Sequence, residues 1–123
     1  DELARAFNAN SVNLSEIEQA QFDILVNCTP IGMHPNEDAT PFDLTQHQTP
    51  ITQHPRVVFD TIYNPVETKL LRQAKAAGCI TVSGVEMFIR QAAVQFELWT
   101  GKPAPTDRFR QVVLDRLGKP DRA

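Results

Sequence analysis

The chain has 123 residues, enough for one domain with a modest core and too few for two ordinary ones. Twelve Lys and Arg against fifteen Asp and Glu leave a net charge of -3; with the basic residues spread along the chain, this excludes the charged footprint of a nucleic-acid binder. No apolar run approaches the roughly 20 residues of a membrane span, and the opening DELARAFNAN is a charged, alanine-rich helical pattern rather than a secretion signal, so a soluble, cytoplasmic protein is expected.

In chain order, Asp1 to about Asn8 reads as the end of a helix with Leu3, Ala4 and Phe7 on one face, and Val12 as a vestigial strand before a helical turn at Ser15 to Gln19. Asp23 to Cys28 is a continuous apolar run bounded by turn residues, the pattern of a strand buried on both faces. Thr29 to Pro55 is a long irregular stretch carrying Pro30, Pro35, Pro41, Pro50 and Pro55 and all three histidines. Arg56 to Ile62 is a second strand, ended by Asn64-Pro65. Glu67 to Ala77 is helical with Leu70, Leu71 and Ala74 inward and Gly78 as its stop. Cys79 to Val82 is a third strand, and a long helix runs from Val85 to Thr100. Gly101, Lys102 and Pro103 break the chain before a last amphipathic helix, capped by Thr106 or Asp107, with Phe109, Val112, Val113 and Leu117 inward and Gly118 at its end.

Buried strands alternating with helices predict an α/β fold with a parallel sheet. Such sheets bind ligands outside the carboxyl ends of their strands. Three loops leave those ends: Thr29-Pro30-Ile31-Gly32-Met33, Thr61-Ile62-Tyr63-Asn64-Pro65 and Ser83-Gly84-Val85-Glu86-Met87. Two methionines and a tyrosine at one rim suit a flat ligand, although a methionine fills a core gap equally well. Cys28 and Cys79 belong to no C-x-x-C pair or zinc spacing and read as reduced, buried thiols. His34, His47 and His54 are spaced by thirteen and seven residues, which suits no compact ligand set, so no metal is expected. Asp60 reads as a residue that ties its strand end to backbone donors. Trp99, three residues after Phe96 and eleven after Phe88, reads as core.

The blocks NCTPIGM, FDTIYNPVETKLLRQAKAAG and SGVEMFIRQAAVQFELWTGKPAP, in that order and spacing, resemble the second half of shikimate dehydrogenase, across nearly the whole chain. The resemblance implies an oxidoreductase that passes a hydride between a nicotinamide cofactor, NADP or NAD, and shikimate or 3-dehydroshikimate. The EMF-RQA form of the last block looks most like versions fused behind a dehydroquinate dehydratase. It also implies that residues 1–123 are the C-terminal part of a dinucleotide-binding domain: a partial doubly wound, Rossmann-like sheet with its first strands absent, closed by helices 85–100 and 106–118. The family's catalytic lysine and aspartate and its glycine-rich turn would lie before Asp1. No G-x-G-x-x-G occurs among Gly32, Gly78, Gly84, Gly101 and Gly118, and no catalytic residue is expected in this chain. A fragment of this kind is expected to be inactive alone and to self-associate or pair with the missing N-terminal half.

By the same resemblance, Thr29, Pro30 and Ile31 match the loop under the nicotinamide ribose, Gly84 the position whose carbonyl meets the carboxamide, and Met87 a residue near the ring. Thr61 matches a position beside the ring where the family often has a larger apolar residue. Tyr63 matches the tyrosine near the shikimate carboxylate. Gln91, four residues after Met87 and on the same helix face, matches a carboxamide that bonds a ring hydroxyl of the substrate. On residue type alone the first loop is a plain turn, Met87 is core, Tyr63 is a half-buried core residue with a wet tip, and Gln91 is an ordinary exposed polar residue. Two other functions share these features: a quinate dehydrogenase fragment, and a non-catalytic binding or interaction module.

Overall fold

The computed structural model describes residues 2–13, 16–17, 22–45 and 55–118. A short helix α1 (Glu2–Ala6) precedes a three-stranded parallel sheet of order β1 (Ile24–Asn27), β2 (Val57–Asp60), β3 (Ile80–Val82). Helix α2 (Lys69–Ala76) connects β2 to β3, and α3 (Gly84–Thr100) and α4 (Thr106–Leu117) follow. This is a partial Rossmann-like sheet with flanking helices.

Helix α2 forms where local signals agree. The Thr68 hydroxyl accepts from the Leu71 N–H at 3.3 Å as N-cap, and Gly78, at φ 81°, follows the last turn. Leu70, Leu71 and Ala74 are 1%, 3% and 0% exposed, and they pack with Val58 and Leu44 to form the core, with Leu25, Phe42 and Cys79 against it. Phe22 meets Phe42 edge-on at 6.2 Å. Helix α3 ends at Gly101, in the left-handed region at φ 65°, whose N–H donates to the Glu97 carbonyl. Phe96 of α3 meets Phe109 of α4 edge-on at 5.6 Å.

Strand pairing places Leu25 and Asn27 on the same face as Val58 and Asp60, the face that α2 covers. Ile24, Val26 and Ile80 lie on the other face and are 59%, 45% and 65% exposed. The expectation that the first strand is buried on both faces therefore fails: its apolar run belongs to a strand that, among the described residues, pairs with β2 alone, at the edge of the sheet. Val12 is exposed and extends no sheet, and the helical turn expected at Ser15 to Gln19 is described only at Glu16 and Ile17. Trp99 is not core but 77% exposed, beside Val94 and Leu98 on the outward side of α3. In α4, Phe109, Val113 and Leu117 are only half-buried, and Val112 is exposed. Cys28, expected in the core, is exposed; Cys79 is half-buried, its thiol pKa raised by desolvation. Among the described residues no helix is long and apolar enough to cross a membrane.

The open edge of β1 has a measurable consequence. In a parallel pair, alternate residues turn their backbone groups toward the neighbour, and the Asp23 and Asn27 carbonyls face β2. The groups of Ile24 and Val26 thus lie along the unpaired side, flanked by apolar side chains, a template for another strand. Full burial of one such side chain contributes about 1.5–3 kcal/mol. The 123-residue chain is expected to form dimers or larger species in light scattering at micromolar concentration. A well-folded monomer with this edge open to water would contradict it.

Candidate functional site

The three loops at the carboxyl ends of the strands form one rim, and hydrogen bonds join the first two. At the end of β1, Asn27 is 4% exposed, and at the end of β2, directly opposite, Asp60 is fully buried. Asn27 Nδ2 donates to Asp60 Oδ1 at 3.1 Å. The other Asn27 amide atom, Oδ1, accepts from the Thr29 N–H and hydroxyl at 2.9 and 2.7 Å, while Nδ2 also reaches the Ile31 carbonyl at 3.3 Å. Asp60 Oδ1 accepts from the Ile62 N–H at 3.1 Å, and Oδ2 from the Thr68 hydroxyl at 2.7 Å. Thr61 donates both its N–H and its hydroxyl to the Asn27 carbonyl. The first two loops meet again where the His34 N–H donates to the Asn64 carbonyl at 3.1 Å.

The third loop is held by contact. A Cβ on Gly84, the first residue of α3, would collide with the carbonyls of Thr61 and Ile62. Glycine at this position is what lets α3 start against the second loop. Gly32 has a comparable reason inside the protein: it is buried at φ 98°, and a Cβ there would lie 3.1 Å from the Ala39 carbonyl. Its freedom serves the turn closed by the Met33 N–H to the Pro30 carbonyl.

Above this framework the rim is largely apolar and open. Ile31, Met33, Tyr63 and Phe88 are 39–45% exposed, and the Tyr63 and Phe88 rings stack at 5.2 Å with 29° between planes. Thr29 and Pro30 are exposed, Thr61 and Met87 half-buried, and Gln91 exposed one turn beyond Met87 on α3. The structure therefore gathers the loops carrying Thr29, Pro30, Ile31, Thr61, Tyr63, Gly84 and Met87 at one edge, with Gln91 on the helix that continues from it. Such a rim presents apolar side chains and accessible backbone to a flat ring, the form of surface an aromatic cofactor needs. Sequence reasoning overlooked two residues. Phe88 follows Met87 directly, and only its stacking on Tyr63 brings it to the rim. Asn27 is the polar end of an apolar strand, and that position was its one signal.

Beside the rim, Arg110 of α4 makes a bidentate ion pair with Glu86 in the first turn of α3. The hydrogen bond from Arg110 lowers the Glu86 carboxyl below its ordinary value; partial burial opposes this, and the charges of Arg110 and Arg90 add to the lowering. A depressed carboxylate pKa means that this link between α3 and α4 is fully present above the ordinary carboxylate range and is lost as pH falls through the depressed value. His34 pairs with Glu37 at 2.9 Å, while His47 and His54 lie outside the described residues. Among the described residues, no three His, Cys, Asp or Glu side chains are grouped to hold a metal.

A family profile described as "Shikimate 5'-dehydrogenase C-terminal domain" matches residues 84–114. The shikimate dehydrogenase (NADP(+)) of Bacillus cereus is 40% identical over 119 residues, 94% of this chain and 41% of that protein. A Thermus thermophilus shikimate 5-dehydrogenase solved with NADP(H) and shikimate superimposes with a TM-score of 0.72 at 29% identity, covering 93% of this chain and 41% of the other. A quinate dehydrogenase from Corynebacterium glutamicum solved with NAD gives a TM-score of 0.72 at 34% identity, covering 92% and 40%. The chain is thus similar over nearly its whole length to shikimate dehydrogenases, and it spans about two-fifths of the length of the curated relatives it matches.

The contact at Gly84 can be tested directly. Because the atoms in the way are backbone carbonyls that cannot rotate aside, Gly84→Ala in the full-length protein is expected to cost about 1–3 kcal/mol in denaturant unfolding. A variant as stable as the wild type would show that α3 does not rest on the second loop.

Proposed function

We propose that this chain is the nicotinamide-side part of the dinucleotide-binding domain of an NADP-dependent shikimate dehydrogenase, occupying residues 1–123 and closed by α3 and α4. The observation that carries this reading is the convergence of the matched loops on one carboxyl-edge rim: Thr29, Pro30 and Ile31 after β1, Thr61 and Tyr63 after β2, Gly84 and Met87 after β3. When bound, NADP supplies the hydride acceptor or donor for the alcohol and ketone carbon of shikimate and 3-dehydroshikimate.

The residues of this chain bind and orient. Thr29 to Ile31 offer backbone groups to the ribose, and Met87 and Thr61 flank the nicotinamide ring. The Gly84 carbonyl would meet the carboxamide and orient the nicotinamide ring for hydride transfer. Holding the two reactants in this geometry supplies a large part of the rate. Tyr63, whose ring is backed by Phe88, presents its hydroxyl to the shikimate carboxylate. Gln91 donates to and accepts from a ring hydroxyl. Proton transfer to the substrate oxygen belongs to residues outside this chain. The open edge of β1 and the exposed Ile24, Val26 and Ile80 are then covered by the remainder of the enzyme or, when this chain is alone, by a second copy. A biosynthetic role of this kind places the protein in the cytoplasm. A quinate dehydrogenase is the second reading, favoured by the similarity to the Corynebacterium glutamicum enzyme.

Assays of the full-length enzyme with shikimate and quinate, each with NADP and NAD, test the reading: NADP-dependent shikimate oxidation is expected, and a preference for quinate or an absence of turnover would overturn it. The 123-residue chain alone is expected to show no shikimate oxidation, because positioning and proton transfer together account for many orders of magnitude. In the full-length enzyme, Gln91→Ala is expected to weaken shikimate binding by about 1–3 kcal/mol and leave NADP affinity nearly unchanged. Titration of both ligands checks it; an equal loss for both would make Gln91 structural.

A further inference from the structure

We propose that Asp60 is a positioning residue for the dinucleotide site, acting through Asn27 to set the direction of the side-chain hydrogen bonds that Asn27 and Thr29 make in the first rim loop; the inference rests on the functional reading above. Asp60 is fully buried, and among the described residues its side chain belongs to no ion pair and its hydrogen bonds go to Asn27, Ile62 and Thr68, none of which is a matched cofactor or substrate residue. As a carboxylate it only accepts. Its Oδ1 at 3.1 Å therefore requires the nitrogen, not the oxygen, of the Asn27 amide to face it. That choice turns Asn27 Oδ1 toward Thr29, where it takes both the N–H and the hydroxyl proton. With its proton committed, the Thr29 hydroxyl can only accept, and it takes the Ile31 N–H at 3.3 Å. Donors thus run in one sense from Ile31 through Thr29 and Asn27 to Asp60.

A second branch ends on the same group. The Thr68 hydroxyl accepts from the Leu71 N–H and so gives its proton to Asp60 Oδ2, and the Ile62 N–H gives to Oδ1. Ile62 and Thr61 are in turn the carbonyls on which Gly84 rests. One carboxylate at the end of the central strand therefore fixes the first loop by polarity, the second by a direct bond and the third by contact. The chains are cooperative, since each bond polarises the next.

The test is a reversal of polarity in the full-length enzyme. N27D removes the donor facing Asp60 and places two carboxylates together; NADP affinity is expected to fall by about tenfold or more, the equivalent of one buried bond left unmade. D60N, nearly isosteric, can keep its oxygen toward Asn27 and Ile62 and is expected to lose about threefold. In N27D/D60N the amide at position 60 can donate to the carboxylate at position 27, which still accepts from Thr29, but that nitrogen then faces the Ile62 N–H and the bond from position 27 to the Ile31 carbonyl is gone, so affinity is expected to recover in part, to between N27D and D60N. Calorimetric titration with NADP, and with NAD in parallel, is read against the melting temperature of each variant. A network that only stabilises the fold would lower melting temperatures and leave the dissociation constants of the folded variants unchanged; that result, or a double variant no tighter than N27D, would overturn the proposal. Should N27D not fold, D60N decides, and wild-type affinity in it would be the overturning result. A wild-type enzyme that binds neither dinucleotide would overturn the functional reading and this inference with it, whereas unchanged variants of a binding-competent enzyme overturn this inference alone.

Discussion

A buried carboxylate is costly unless its oxygens are met by donors, and Asp60 at the end of β2 is met by three: an amide, a backbone N–H and a hydroxyl. Oδ1 divides between the amide and the backbone N–H, and Oδ2 takes the hydroxyl, so losing the hydroxyl leaves one oxygen without its donor and losing either of the others leaves Oδ1 with a single one. Supplying all three fixes the end of β1, the start of the loop after β2 and the N-cap of α2 relative to one another. The core of Val58, Leu70, Leu71 and Ala74 lies directly beneath. Packing there and polarity above it specify the same arrangement, and agreement between levels gives a sequence one structure rather than several.

The same arrangement explains why the rim can be open without being loose. Ile31, Met33, Tyr63 and Phe88 expose two-fifths or more of their surface, or nearly so, and would gain from being covered. Their backbones are nevertheless tied from below, through Asn27, Asp60 and the close approach of Gly84 to the second loop. An apolar surface whose shape is set in advance loses little freedom when a ligand lies on it, which is how preorganisation raises affinity. The Glu86–Arg110 pair performs a parallel task at the outer end, holding the last helix to the first turn of α3.

What could be read from the sequence divides along the range of the interactions. Helix α2 was legible because its signals are local: Leu70, Leu71 and Ala74 at helical spacing and Gly78 after it; its start, expected at Glu67, lies at Lys69 behind the Thr68 cap. The three strands and their parallel pairing followed from alternation of apolar runs and helices. The outer surfaces did not follow. The run FDILV gives no sign that one face of β1 is left uncovered, and the spacing of Phe88, Phe96 and Trp99 cannot say that no partner surface meets Trp99. The network around Asp60 spans 33 residues to Asn27 and 8 to Thr68; the expectation that Asp60 bonds backbone donors holds for Ile62 and omits its two side-chain partners. The candidate ligand residues came from likeness to a known family, since neither periodicity nor composition distinguishes Gln91 from any exposed polar residue or Met87 from core.

The central claim is that the rim joined through Asp60 is where the nicotinamide end of a dinucleotide lies. A crystal structure of the full-length protein with NADP and shikimate tests it most directly. The account predicts the nicotinamide ring against Thr29 to Ile31, Gly84 and Met87, with shikimate within hydrogen-bond reach of Tyr63 and Gln91 and the Asn27–Asp60 bond intact. A nicotinamide ring seated away from these three loops, or a bound complex in which Asn27 and Asp60 have separated, would contradict it.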